Sequence, residues 1–299
     1  MPAVTANGIT IEYDERGNPG DPTLLLVMGF GQQMLAWPDP FCDMLAEQGC
    51  RVIRFDNRDT GFTQKFEDFG VPDMQKMVME LAKGTVPDAP YTLEHMADDA
   101  AGVLDALGIE RAHIVGVSMG GMISQLVALR HPAKTASLIS VMSSSGRPGV
   151  GQATPQAGAA LFARPKSMEK EDVVEHAVMT SKAIGSPAFP IDEDRLRVAA
   201  GVLYDRSFYP QGAPRQYAAI LATPPRHDNL KDITAPTLVI HGADDPLIPQ
   251  DGGEDTAALI PGSRLEIIEG MGHNLPPQLW PKLVELITGH AKTVDAKAA

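Results

Sequence analysis

Cysteine is scarce in this chain of 299 residues: Cys42 and Cys50 are the only two. They are too few for a disulfide framework and point to a reducing compartment. Positive charge is also short. Twenty-five Lys and Arg stand against 38 Asp and Glu, a formal net charge of −13. A surface that grips nucleic acid or an anionic membrane would be basic, so neither is an expected partner. No apolar run approaches the roughly 20 residues that span a bilayer, so membrane insertion is not expected. The opening "MPAVTANGITIEY" has no basic region followed by an apolar core, so no signal peptide is expected and the cytoplasm is the default location. Metal and cofactor signatures are missing too: there is no H-E-x-x-H, paired C-x-x-C or phosphate loop. No metal and no cofactor is expected.

What remains is an acidic globular chain with 43% apolar residues, ample for a buried core. Strands are expected at 9–13, 23–28, 51–55, 112–117, 136–142, 237–241 and 264–269. Several are near-continuous apolar runs, as in a parallel sheet covered on both faces. Helical patterns lie between them. "DPFCDMLAEQG" places Phe41, Met44 and Leu45 on one face and stops at Gly49. "TLEHMADDAAGVLDALG" begins at Thr92, a good N-cap, and repeats Leu93, Met96, Ala100, Val103, Leu104 and Leu107 at helical spacing. This alternation predicts an α/β fold with a doubly wound, mostly parallel sheet. Residues 62–90 break the rhythm with one short extra helix in "PDMQKMVMELAKG". Residues 144–224 contain no strand pattern but offer helices around 168–184, 191–206 and 214–222. They are expected to form an inserted helical cap, dividing the core into 1–143 and 225–299. The tail "KTVDAKAA" is expected to fray.

Four stretches end expected strands, where an open α/β sheet binds its ligands. In "AHIVGVSMGGMISQ" a strand runs into Ser118 and out as a helix. Gly116 and Gly120 remove side chains that would clash in so sharp a turn, and Ser118 is left exposed for reaction. A dinucleotide loop is the competing pattern. It fails because position 118 is not Gly and no acid lies near residue 136 to hold a ribose. A turn carrying an inert serine is the plainer alternative.

The loop "HGADDPLIP" offers Asp244 and Asp245; the latter, four residues past the strand and before Pro246, is preferred as an orienter of histidine. Both could instead cap a turn. "GMGHNLP" places His273 between the last strand and the final helix, which completes the order Ser, Asp, His. His241 is its serious rival among the other seven. In "VMGFGQQ", Gly29 lets the backbone approach, and the N–H groups of Phe30 and Met119 would be two donors for an oxyanion; a mere Gly-rich turn is the alternative for this stretch.

With these motifs together, the chain resembles an α/β-hydrolase-fold serine hydrolase, and within that superfamily the aclacinomycin methylesterase branch. The resemblance rests on "LLLVMG", "VIRFDNRDTG", "AHIVGVSMGGMISQLVALRHP", "PTLVIHGADDPLIP" and "GMGHNLP". It implies Ser118 as nucleophile, His273 as base, Asp245 as its orienter, and Phe30 and Met119 as oxyanion donors. It does not carry over a polyketide substrate, because the cap is not recognisably similar. "DNRDTG" (56–61) is expected to brace its loop through an Asp56–Arg58 pair. Met28, Gly29, Met142, Leu247 and Leu275 flank the expected site and predict an apolar substrate pocket, suited to a neutral, fairly hydrophobic ester, with core packing the equal alternative for any one of them. Activity should fall below roughly pH 6 as the base protonates. The same residues could serve C–C bond hydrolysis, lactone opening, cofactor-free perhydrolysis, or a ligand receptor with residual turnover. An oligomer is compatible with the sequence.

Overall fold

The computed structural model describes residues 1–298. Eight strands form its sheet: β1 (Ala3–Ala6), β2 (Ile9–Arg16), β3 (Thr23–Val27), β4 (Arg51–Phe55), β5 (Ala112–Val117), β6 (Thr135–Val141), β7 (Thr237–Gly242) and β8 (Arg264–Ile268). Helices α1 (Asp39–Glu47), α2 (Met74–Ala82), α3 (Leu93–Ala106) and α4 (Met119–Arg130) come before β6 in the chain. Next come α5 (Pro155–Phe162), α6 (Lys170–Ile184), α7 (Glu193–Ser207) and α8 (Gly212–Ala222), all between β6 and β7. Helix α9 (Gln250–Leu259) joins β7 to β8, and α10 (Trp280–Ala298) ends the described chain. The tail expected to fray is therefore helical through Ala298, and Ala299 lies outside the described residues. Among the described residues, no helix is long and apolar enough to cross a membrane.

The strand order is β1-β2-β4-β3-β5-β6-β7-β8. The β1–β2 and β2–β4 pairs are antiparallel, and every pair from β4–β3 onward is parallel. The mostly parallel, doubly wound sheet expected from the sequence is thus present. Its apolar runs serve two faces, alternating residue by residue. Leu24 and Leu26 join Phe41 and Leu45 of α1 and Leu283 and Ile287 of α10 in one core. Leu25 and Val27 join Met96 and Val103 of α3 and Ile123 and Val127 of α4 in the other. Each fully buried Leu or Val contributes roughly 1.5–3 kcal/mol, so the alternation settles the register of the central strands.

Three elements were absent from the sequence expectation: β1, α5 and α9. Strand β1 is short and mostly exposed, and it turns into β2 through Asn7 and Gly8, with φ of 48° and 78°. Both values are left-handed, which is why Asn-Gly occupies this two-residue hairpin. Helix α5 starts on Thr154, whose side chain accepts the N–H of Ala157, with Pro155 in the first turn.

Because β3, β5, β6, β7 and β8 run parallel, their carboxyl ends share one edge. The loops starting at residues 28, 118, 142, 243 and 269 therefore converge there.

Candidate active site

Ser118 stands between β5 and α4 with φ 55° and ψ −123°. A non-glycine residue held there costs of order 1–3 kcal/mol and persists only where its surroundings dictate it. They do so here. A Cβ on Gly116 would lie 2.1 Å from the Gly120 carbonyl oxygen, and one on Gly120 would lie 2.1 Å from the Val27 oxygen. The turn closes only because both side chains are missing. The Ser118 N–H donates to Val141 O at 2.9 Å, and Ser143 Oγ donates to Ser118 O at 2.8 Å, so both backbone ends of the serine are held.

His273 meets this serine from the β8–α10 loop. Its Nε2 is 3.0 Å from Ser118 Oγ, and its Nδ1 is 2.7 Å from Asp245 Oδ2. A carboxylate can only accept, so Nδ1 carries the proton and Nε2 presents its lone pair to the hydroxyl. Asp245 is 4% exposed. Its Oδ1 accepts the N–H groups of Leu247 and Ile248, both at 2.9 Å, which leaves Oδ2 aimed at the imidazole. Asp244 points elsewhere and accepts the Gly270 N–H at 2.9 Å.

His241 does not compete. It is fully buried, and its Nε2 donates to Ile248 O at 2.7 Å, under the same loop that carries Asp245. Burial pulls its pKa below the ordinary imidazole value, against the pull of the Ile248 carbonyl and the Asp245 charge. A neutral ring beneath the carboxylate results.

Gly29 brings the β3 loop against the serine: a Cβ there would lie 3.3 Å from Ser118 Cβ. Among the described residues, neither the Phe30 N–H nor the Met119 N–H has an acceptor. Met119 N–H opens α4, where the helix end favours negative charge. The loop itself is well held. Asn57 Nδ2 donates to Met28 O at 2.9 Å, the Gly31 N–H donates to Gln216 Oε1 at 2.8 Å, and the Met34 N–H donates to Asp56 Oδ1 at 2.7 Å. Asn57 lies in a stretch already singled out. Gln216 sits on α8 and had no signal, since its partner is 185 residues away.

The expected Asp56–Arg58 pair is not formed. Arg58 instead grips Asp99 of α3 through two bonds of 2.6 Å. Asp56 takes Arg206 of α7 at 2.7 Å, and Asp59 takes Arg215 of α8 at 2.8 Å. All five of Asp56, Arg58, Asp59, Asp99 and Arg215 are buried. A pair two residues apart would engage one guanidinium; this arrangement pairs three with carboxylates and ties α7 and α8 to the loop after β4.

A partly open cavity of about 180 Å³ lies between the Gly31–Gln33 turn and helices α6, α7 and α8. Leu203, Tyr204, Tyr209, Val173 and Ala213 are among its lining residues, and none of the residues around it carries a charged side chain. Neither Ser118 nor any of the five residues expected to line a substrate pocket borders it. Met28 and Met142 are 5% and 3% exposed within the core that faces α1 and α10, and half-buried Leu275 packs against it. Leu247 is 9% exposed beside Asp245.

Comparison with known proteins adds lineage to this geometry. The alpha/beta hydrolase fold family matches residues 22–278. A rhodomycin D methylesterase of Streptomyces sp. (strain C5) is 30% identical, over 97% of this chain and 97% of its own length. Another rhodomycin D methylesterase, from Streptomyces peucetius, is 28% identical with the same coverage of both chains. Among solved structures, an enol-lactonase from Burkholderia xenovorans LB400 matches with a TM-score of 0.71 at 21% identity, covering 97% of this chain and 100% of the other. That last likeness speaks for the fold alone.

Proposed function

The chain belongs to the alpha/beta hydrolase fold family, and from this we propose that it is a serine carboxylesterase for neutral, fairly hydrophobic carboxylic esters. One observation carries the proposal: Ser118 Oγ, His273 and Asp245 form a continuous chain of contacts of 3.0 and 2.7 Å. Ser118 Oγ attacks the acyl carbon while His273 Nε2 takes its proton. The C–O bond of the ester then breaks, and the imidazolium returns that proton to the departing alcohol. Water repeats the sequence on the acyl-enzyme, releases the acid and restores the serine. Asp245 holds the imidazole in the working tautomer and stabilises its charged form.

The N–H groups of Phe30 and Met119 are the oxyanion donors, and losing one such donor costs about 3–4 kcal/mol of the barrier. Met28, Gly29, Met142, Leu247 and Leu275 form the apolar wall around the acyl group. The uncharged cavity beside Gly31 takes the remainder of the substrate. In this scheme residues 144–224 act as a cap over the core formed by 1–143 and 225–299. The free, buried Cys42 and Cys50 are compatible with a cytoplasmic location.

The rhodomycin D methylesterase relatives support ester cleavage over the other reactions open to the fold. The test is steady-state hydrolysis of p-nitrophenyl butyrate and a panel of methyl esters, set beside vinylogous diketones. Esters are expected to be turned over faster, and Ser118→Ala is expected to lose at least about 1,000-fold in kcat while staying folded. Full activity in that variant, or faster turnover of diketones, would refute the proposal.

A further inference from the structure

The loop that carries His273 has little stiffness of its own. It reads Gly270-Met271-Gly272, and Gly270 has φ 75°. Asp244 holds its first half, accepting the Gly270 N–H at 2.9 Å and donating its own N–H to Met271 O at 3.0 Å, and the end of α6 holds the half that carries the histidine. The backbone N–H of His273 donates to Ile184 O, the last residue of that helix, at 2.7 Å. The Gly272 N–H donates to Ser186 Oγ at 2.9 Å. That hydroxyl donates in turn to Asn274 Oδ1 at 2.5 Å, and the same oxygen accepts the Ser186 N–H at 3.0 Å. Three successive loop residues, Gly272, His273 and Asn274, are thus bonded to Ile184 and Ser186 at the helix end.

The fit leaves no slack. A Cβ on Gly272 would lie 2.3 Å from the Gly185 oxygen, and Ser186 is 3% exposed. The arrangement is also reciprocal in its chemistry. The last carbonyls of a helix have no partner within it, and His273 supplies one.

Ring contacts alone would not secure the base. Asp245 and Ser118 fix the plane of the imidazole, but the backbone from which it hangs needs its own anchor. A shift of about 1 Å in such a group can cost a hundredfold in rate. We propose that Ser186 and Asn274 are positioning residues for His273, locking its loop to the end of α6 so that Nε2 stays on the Ser118 hydroxyl. This rests on His273 being the general base. It also gives α6 two duties. Val173 and Ala177 of the same helix border the cavity, and Ala177 stands about 10 Å along the axis from Ile184. The helix that meets the substrate region is the one that holds the base.

The test compares Ser186→Ala, Asn274→Ala and Asn274→Asp with His273→Ala, by steady-state hydrolysis of p-nitrophenyl butyrate and by thermal unfolding. Asp keeps both acceptor bonds to Ser186, whereas Ala keeps neither. Ser186→Ala and Asn274→Ala are expected to lower kcat about 10- to 100-fold with KM within about threefold. Asn274→Asp is expected to recover kcat to within about threefold of the unaltered protein. Should Ser186→Ala fail to fold, Ser186→Cys keeps the volume with a weaker donor and is expected to show the same selective loss of kcat. Unchanged kcat in the Ser186 variant that folds, or an Asn274→Asp as slow as Asn274→Ala, overturns the proposal provided His273→Ala is inactive. An active His273→Ala would overturn the general-base reading instead.

Discussion

Replacing Asp245 with Asn removes a charge while leaving shape and volume in place. Its consequence follows from how the two carboxylate oxygens are used. Oδ1 accepts two backbone N–H groups, from Leu247 and Ile248, and Oδ2 accepts one, from His273 Nδ1. An amide has only one oxygen to offer. Two hydrogen bonds outweigh one by about 1 kcal/mol, so the amide oxygen stays with the backbone and the NH2 group turns to the imidazole. Nδ1 must then accept, the ring proton moves to Nε2, and the nitrogen facing Ser118 Oγ is no longer a base. Loss of the correct tautomer costs about 10,000-fold in kcat, about 5 kcal/mol of barrier. KM should change little because no contact with substrate is removed. Stability should also change little, since every buried polar atom keeps a partner. The assay is kcat and KM on p-nitrophenyl butyrate, with a urea titration beside it. A kcat within tenfold of the unaltered enzyme would refute the tautomer argument.

Two further outcomes follow from the same packing. Gly120→Ala places a Cβ 2.1 Å from Val27 O and 2.8 Å from Met28 O, both backbone atoms that cannot step aside. It is expected to abolish activity and depress the unfolding midpoint, whereas a fully active Gly120→Ala would show the turn to be looser than described. Acid should also destabilise the fold. Burial holds His113, His241 and His290 below the ordinary imidazole pKa of 6.5. Below that value the unfolded chain binds more protons than the native one, so this part of the stability is whole above about pH 7, starts to fall near 6.5 and is lost as pH drops through the lower native values. Thermal unfolding at pH 8 and pH 5.5 checks the sign, and a Tm that rises on acidification would contradict it.

The core strands were legible because each is a run such as "TLLLV" that must bury two faces, and few arrangements other than a parallel sheet accept that. The Ser118 turn was legible for a steric reason, since the glycines beside it mark where the backbone passes too close for a side chain. Asp245 and His273 stand out by order and loop context, and the two side chains lie 2.7 Å apart. Strand β1 was missed because "AVTA" is short and mostly exposed, although Asn7-Gly8 signalled the hairpin. The role of "DNRDTG" was misjudged because its charges reach α3, α7 and α8 rather than one another. Ser186 and Asn274 carried no local mark at all. Their bond spans 88 residues of chain, and nothing in "IGSP" or "GHNL" announces the other.

The whole scheme depends on Ser118 Oγ becoming a nucleophile through His273. Intact mass and peptide mapping after treatment with a p-nitrophenyl phosphonate read that event directly, since the phosphonyl group stays on the oxygen that displaces nitrophenolate. One adduct per chain on the peptide containing Ser118 is expected, growing in step with the loss of esterase activity and failing to form in His273→Ala. Complete inactivation with Ser118 unlabelled, or equal labelling when His273 is absent, would contradict it.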